Sequence, residues 1–209
     1  MANSRQLLLP NTSRRRTCRL GLGPAAADGF TLLELMVTLA IAAILALVAA
    51  PSFRSVLVSN TVGSMSSDFS TALAQTRGLA IANNMCATLC TATVSADGSP
   101  TCETPGSSGF QQGWIVFTNP ACDADQTDPA AAGARLRQTQ NAGSNGYAIT
   151  ASESALYRLM FDPRGISTAG VNGVFQVTAP DDSTNTYSRT ICLDAAGRAT
   201  VRRHSTSCS

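Results

Sequence analysis

The 21 residues from Phe30 to Ala50 form an apolar run with a single charge, Glu34. At 1.5 Å per residue such a run makes a helix about 31 Å long, the thickness of a bilayer core. This segment is therefore expected to be a transmembrane or equally sheltered helix spanning 30–50. A carboxylate inside it costs about 2.5–3.5 kcal/mol on insertion scales and calls for a partner.

The residues around the run set its orientation. Arg5, Arg14, Arg15, Arg16 and Arg19 all precede it, and the 209-residue chain contains no lysine. A basic flank keeps the N-terminal side in the cytoplasm and sends everything after residue 51 across the membrane. The whole chain has a net charge of only +2 and is no strongly basic nucleic-acid binder; removing residues 1–29 leaves 10 arginines against 12 acids, a side-chain net charge of −2. Six of the seven cysteines (Cys86, Cys90, Cys102, Cys122, Cys192 and Cys208) fall on the exported side, and only Cys18 precedes the run. An even number in an oxidising compartment reads as disulfides rather than free buried thiols.

Three processing schemes fit a basic flank followed by an apolar run. A secretory signal cut after the run meets Pro51 directly behind Val48-Ala49-Ala50, a poor site for a signal peptidase. An uncleaved anchor would retain residues 1–29 and leave Glu34 unpaired. Cleavage before the run, after Gly29, frees the amine of Phe30. Glu34 then lies about one helical turn beyond that amine, where the amine of a neighbouring subunit can neutralise it.

Gly29-Phe30-Thr31-Leu32-Leu33-Glu34 resembles the type IV prepilin cleavage and methylation motif, and the apolar helix ending at Pro51 fits the same class. The resemblance implies cleavage after Gly29 by a prepilin peptidase that also N-methylates Phe30. It further implies a role for Glu34 in assembly into a helical filament.

Beyond Pro51, which is expected to kink the helix, Phe53, Val56, Leu57, Met65, Phe69, Ala72, Thr76, Leu79 and Ala80 recur at three- and four-residue spacing. This predicts an amphipathic helix over 51–84, ending near Asn83-Asn84. From Cys86 onward, β-prone runs alternate with Gly, Pro, Asp and Ser clusters. Strands are expected at 87–94, 114–118, 135–139, 147–150, 156–161, 173–178, 187–193 and 200–203, with loops at 95–112, 119–134 and 162–172.

Cys90 and Cys102 flank Asp97-Gly98 and are followed by Gly113-Trp114-Ile115-Val116-Phe117. With Phe161-Asp162-Pro163-Arg164-Gly165 and Ala196-Gly197-Arg198, this pattern is similar to the GspH/FimT family of minor pilins and pseudopilins over roughly residues 29–203. Thr118-Asn119-Pro120 departs from the acidic turn common there. The resemblance supports a Cys90–Cys102 bridge. Among the 15 pairings open to six cysteines, the expected set adds Cys192–Cys208 across the tail and Cys86–Cys122 as the remaining pair.

Enzymatic constellations are lacking in the sequence. The single histidine, His204, stands near the C-terminus without an orienting partner. Cys86 and Cys90 have no further ligands at zinc spacing. Asp123, Asp125 and Asp128 lack the glycine and terminal glutamate of a calcium loop, and read as a solvated surface. No catalytic residue, metal or cofactor is expected.

Arg198, Arg202, Arg203 and His204 make the only basic cluster of the exported part. In the FimT branch a C-terminal Gly-Arg-x-Arg motif is implicated in DNA binding during natural transformation. Gly197-Arg198-Ala199-Thr200-Val201-Arg202 displaces the second arginine, so Arg198 is the best match. Arg202, Arg203 and Arg189 complete a candidate surface for double-stranded DNA. The alternative is a charged edge strand that discourages aggregation.

The chain is thus expected to be an α+β, type IV pilin-like protein, with a long N-terminal helix packed on an antiparallel β-rich globular domain at 85–209. The implied place is the inner membrane, crossed once with the C-terminal domain in the periplasm, and then a filament of pilins. The implied role is that of a minor pilin near the tip of a type IV pilus. A type II secretion pseudopilin, a DNA-uptake receptor and a membrane-anchored enzyme are the competing readings.

Overall fold

The computed structural model describes residues 29–94, 98–103, 109–131, 133–141, 146–168, 173–203 and 207–208; side chains at 48–51 and 137–141 are not described. The expected leader up to Asp28, and also Asp97 and His204, lie outside the described residues. The chain divides into two compact units at Leu47/Val48.

Helix α1 spans Leu32–Asn83 and belongs to both units. Its start is capped locally. The Glu34 N–H donates to Thr31 Oγ1 at 3.2 Å, the N-cap bond of a Thr-x-x-Glu capping sequence. The first unit is otherwise uncovered: Phe30 is 81% exposed, and Leu33, Met36, Leu39 and Ile44 all exceed 60%. Among the described residues no single helix is long and apolar enough to cross a membrane; Leu32–Leu47 and Ser52–Asn83 qualify only as a pair.

In the second unit α1 ends where the paired asparagines predict. Asn84 takes φ 49°, its N–H donates to the Ile81 carbonyl, and the Met85 N–H donates to the Ala80 carbonyl. That is a Schellman cap with asparagine as the left-handed residue. The chain reverses there into β1 (Cys86–Val94), followed by β2 (Pro100–Cys102), β3 (Gly113–Asn119), β4 (Arg135–Asn141), β5 (Ala148–Ala151), β6 (Arg158–Phe161), β7 (Gly173–Thr178), β8 (Arg189–Leu193) and β9 (Ala199–Arg203). The fold is α+β as expected, a long N-terminal helix followed by antiparallel sheets.

The strands make two sheets. One has the order β2-β1-β3-β4, with β6 also on β1; the other runs β5-β7-β8-β9. Every pairing is antiparallel. Strand β2 lies in a stretch expected to be loop. Pro100 removes a ladder donor, and the strand is only three residues long, so nothing local marks it.

Both sheets bury one face against the helix. Val62, Phe69, Ala72, Leu73 and Ala80 of α1 share a core with Leu89, Trp114, Val116, Leu159 and Phe161 of the first sheet and Ile149, Phe175, Val177, Ile191 and Leu193 of the second. Phe69 is the hub, with ring centroids 4.7 Å from Phe110, 5.3 Å from Trp114 and 5.1 Å from Phe175. Full burial of one such side chain stabilises the fold by about 1.5–3 kcal/mol.

A second, smaller cluster lies on the other face of the first sheet. Cys90, Cys102, Ile115 and Phe117 are buried there, so β1 and β3 are covered on both faces. Three disulfides close loops around this framework: Cys86–Cys122, Cys90–Cys102 and Cys192–Cys208.

Candidate functional site

The first candidate site is the start of α1. Gly29 and Phe30 are both exposed, and a Cβ built on Gly29 would meet nothing within 4 Å. Glu34 stands in the first helical turn, where the helix dipole favours a carboxylate. Its surroundings are apolar side chains with no cation nearby in sequence after the expected cut.

The second candidate site is the β8–β9 hairpin. The Gly197 N–H donates to the Asp194 carbonyl at 2.9 Å, and the Asp194 N–H donates to the Arg198 carbonyl at 3.0 Å. One carboxylate oxygen of Asp194 accepts the Arg198 N–H at 2.8 Å, and the other accepts Arg198 Nε at 2.8 Å. The backbone bond from Arg198, with its side chain and charge behind it, holds the Asp194 carboxyl below the usual carboxylate range. Arg198 is thus a tethered arginine whose side chain is still 73% exposed.

The four arginines of interest separate onto two faces. Arg198 and Arg202 line one pocket of about 300 Å³ together with Asp194, Thr200, Cys192 and Cys208. Arg189 and Arg203 are direct cross-strand partners. They share their side of the sheet with the core residue Ile191, since alternate residues of a strand share a face.

An arginine that the sequence did not single out links the hairpin to the helix. Arg77 Nε, on α1, donates to the Gly165 carbonyl at 3.0 Å and to the Ala196 carbonyl at 3.1 Å. It joins the Asp162–Gly165 turn to the Ala196–Arg198 turn, two motifs that are far apart in the chain. Both turns need glycine at their left-handed corner. Gly165 has φ 79° and Gly197 φ 74°, and a Cβ on Gly197 would collide with the Gly165 carbonyl oxygen.

The acidic loop has a structural account. Asp123 and Asp128 accept backbone N–H groups two residues on, from Asp125 and Ala130. Asp125 pairs with Arg158 at 3.1 Å. Among the described residues no group of three or more His, Cys, Asp or Glu side chains is placed to hold a metal ion.

These features define a long helix with an uncovered apolar first half ahead of a disulfide-braced β domain. The prokaryotic N-terminal methylation motif matches residues 25–50. The family described as type II transport protein GspH matches residues 66–197, well over half of the chain, and the protein belongs to that family. It is thereby a pilin-like structural subunit of the minor pilin and pseudopilin class. Two crystal structures of the Pseudomonas aeruginosa type IV minor pilin FimU are similar. One has 14% identity and a TM-score of 0.49, covering 68% of this chain and 89% of that one. The other has 12% identity and a TM-score of 0.48, covering 67% and 91%. No protein of curated function matches the chain.

Proposed function

We propose that this protein is a minor pilin of a type IV pilus, a structural and initiating subunit near the filament tip. The observation that carries this is the helix from Leu32 to Leu47, whose apolar side chains are exposed on every side. A helix apolar all round is stable only inside lipid or inside a protein assembly. A filament core supplies the second environment after the inner membrane has supplied the first. Prepilin peptidase would cut after Gly29 and methylate Phe30. The amine of Phe30 from one subunit would neutralise Glu34 of another, which accounts for a carboxylate at that depth. The β domain would face the periplasm and then the filament surface, with neighbouring pilins as its partners. Arg198 and Arg202, together on the pocket-lined face, would be the groups that meet double-stranded DNA during uptake.

A second reading is a pseudopilin of a type II secretion system, favoured by the description of the matching family. One experiment decides between the two. Surface filaments are sheared from the native host and probed for the protein. The pilus reading expects it in sheared pili, and expects Glu34→Ala to mature normally yet drop at least tenfold from them. Absence from intact pili, together with loss of protein secretion on gene deletion, would establish the pseudopilin reading instead.

A further inference from the structure

We propose that Arg189 and Arg203 form an anion-binding pair that seats a carboxylate of a neighbouring subunit in the filament, an inference that rests on the assembly reading above. The two residues are opposite each other in the β8–β9 ladder, so their side chains leave the same face of the sheet. Like charges at directly opposed positions destabilise a sheet unless something neutralises them.

Nothing described within this chain does so. The described ion pairs are Arg158–Asp125 and Arg198–Asp194. On α1, where Gly63 meets Arg189, residues 52–67 contain no acid, and Asp68 just beyond accepts from the Ser64 hydroxyl at 3.5 Å. Asp194 is committed to Arg198. Asp182 accepts from the Thr184 hydroxyl and from the N–H groups of Thr186 and Tyr187.

Arg189 is half-buried, and the helix is shaped to receive it. A Cβ on Gly63 would come within 2.8 Å of Arg189 Nη2 and 3.1 Å of its Cζ. A glycine at that helical position therefore leaves room for the flat guanidinium. A partly desolvated arginine without a counter-charge is costly, and the forked donors of two arginines suit one planar oxyanion.

Three sources of an oxyanion are available to such a protein. Phospholipid headgroups are disfavoured by distance. Gly63 lies eleven residues beyond Ser52, about 16 Å of helix, whereas the headgroup layer on one side of a bilayer is about 5–8 Å thick. Duplex DNA is disfavoured by placement, because Arg198 and Arg202 line a pocket on the other face of the sheet while Arg189 is packed against α1. Carboxylates are in excess, since the part after Gly29 carries 12 acids and 10 arginines. A heterologous contact of this kind, basic pair on one subunit and acid on the next, builds an open helical filament.

The test uses the full-length protein in its native host. A photo-crosslinking residue replaces Val201, which shares the face of Arg189 and Arg203 and is exposed. The proposal expects a crosslink to another pilin that maps beside an acidic residue and is lost in Arg203→Glu. It expects Arg203→Glu to reach sheared filaments at least tenfold less than wild type and Arg203→Lys to stay close to wild type, with neither melting below wild type, since Arg203→Glu faces Arg189 with an opposite charge. Wild-type incorporation of Arg203→Glu would overturn it. So would unchanged incorporation of Arg189→Gln together with a tenfold loss of binding to duplex DNA or to phosphatidylglycerol vesicles, which would assign the pair to phosphate. A wild-type chain that keeps its leader or never enters filaments would sink the assembly reading itself, and this proposal with it.

Discussion

Gly197 turns the β8–β9 hairpin at φ 74° and rests on the carbonyl of Gly165, with the Arg77 guanidinium beside both. A side chain there meets two obstacles, a left-handed backbone and a neighbouring peptide. Gly197→Ala is expected to cost about 1–3 kcal/mol from the strained backbone, a drop of about 2–12 °C in melting temperature for a domain of this size. Thermal melting of the detergent-solubilised chain by circular dichroism reads this directly, and an unchanged melting temperature would remove the collision argument. The methylation motif around Gly29-Phe30-Thr31-Leu32-Leu33-Glu34 was legible in the sequence because it is local: a glycine, an apolar run and a carboxylate one turn into it. Arg77 was not, because its two acceptors lie 88 and 119 residues away. Only the fold brings them to it.

Among the elements, the strands declared themselves through β-branched residues and alternation, and α1 through its spacing and the asparagines at its end. Strand β2 did not. Three residues beginning with proline carry no period, and the strand is held by pairing with Ala92–Val94 and by the Cys90–Cys102 bridge. That bridge belongs to a buried cluster with Ile115 and Phe117, so its loss removes both a cross-link and packing. The paired change Cys90→Ser with Cys102→Ser is expected to destabilise the domain by about 2–5 kcal/mol. It should also expose β2 to exchange while β7 and β8 stay protected. Amide hydrogen exchange followed by mass spectrometry separates the two, and uniform protection across β2 would contradict this account.

The whole molecule joins an apolar helical segment, Leu32–Leu47, that lacks cover of its own to a domain that has ample internal cover. The apolar run at 30–50 and the six cysteines that follow it made that division legible in the sequence. The arrangement of the two sheets was not visible, because β1 sits between β3 and β6. Such an order depends on pairings between distant segments, and no single window of sequence contains it. Division of labour at this scale also places the charged groups of interest beyond Leu47, on the second half of α1 (Arg77) and on the β strands, apart from Glu34. Between Leu32 and Leu47 the helix carries Glu34 as its one charge, and any further charge there would oppose burial in an apolar environment.

The central claim is that the chain is matured before its apolar helix and then assembled through it. Mass spectrometry of the protein purified from its native host tests this most directly. The account predicts a mature N-terminus at Phe30 carrying one added methyl group, with residues 1–29 gone. A chain still beginning at Met1, or one cut after Ala50, would contradict it.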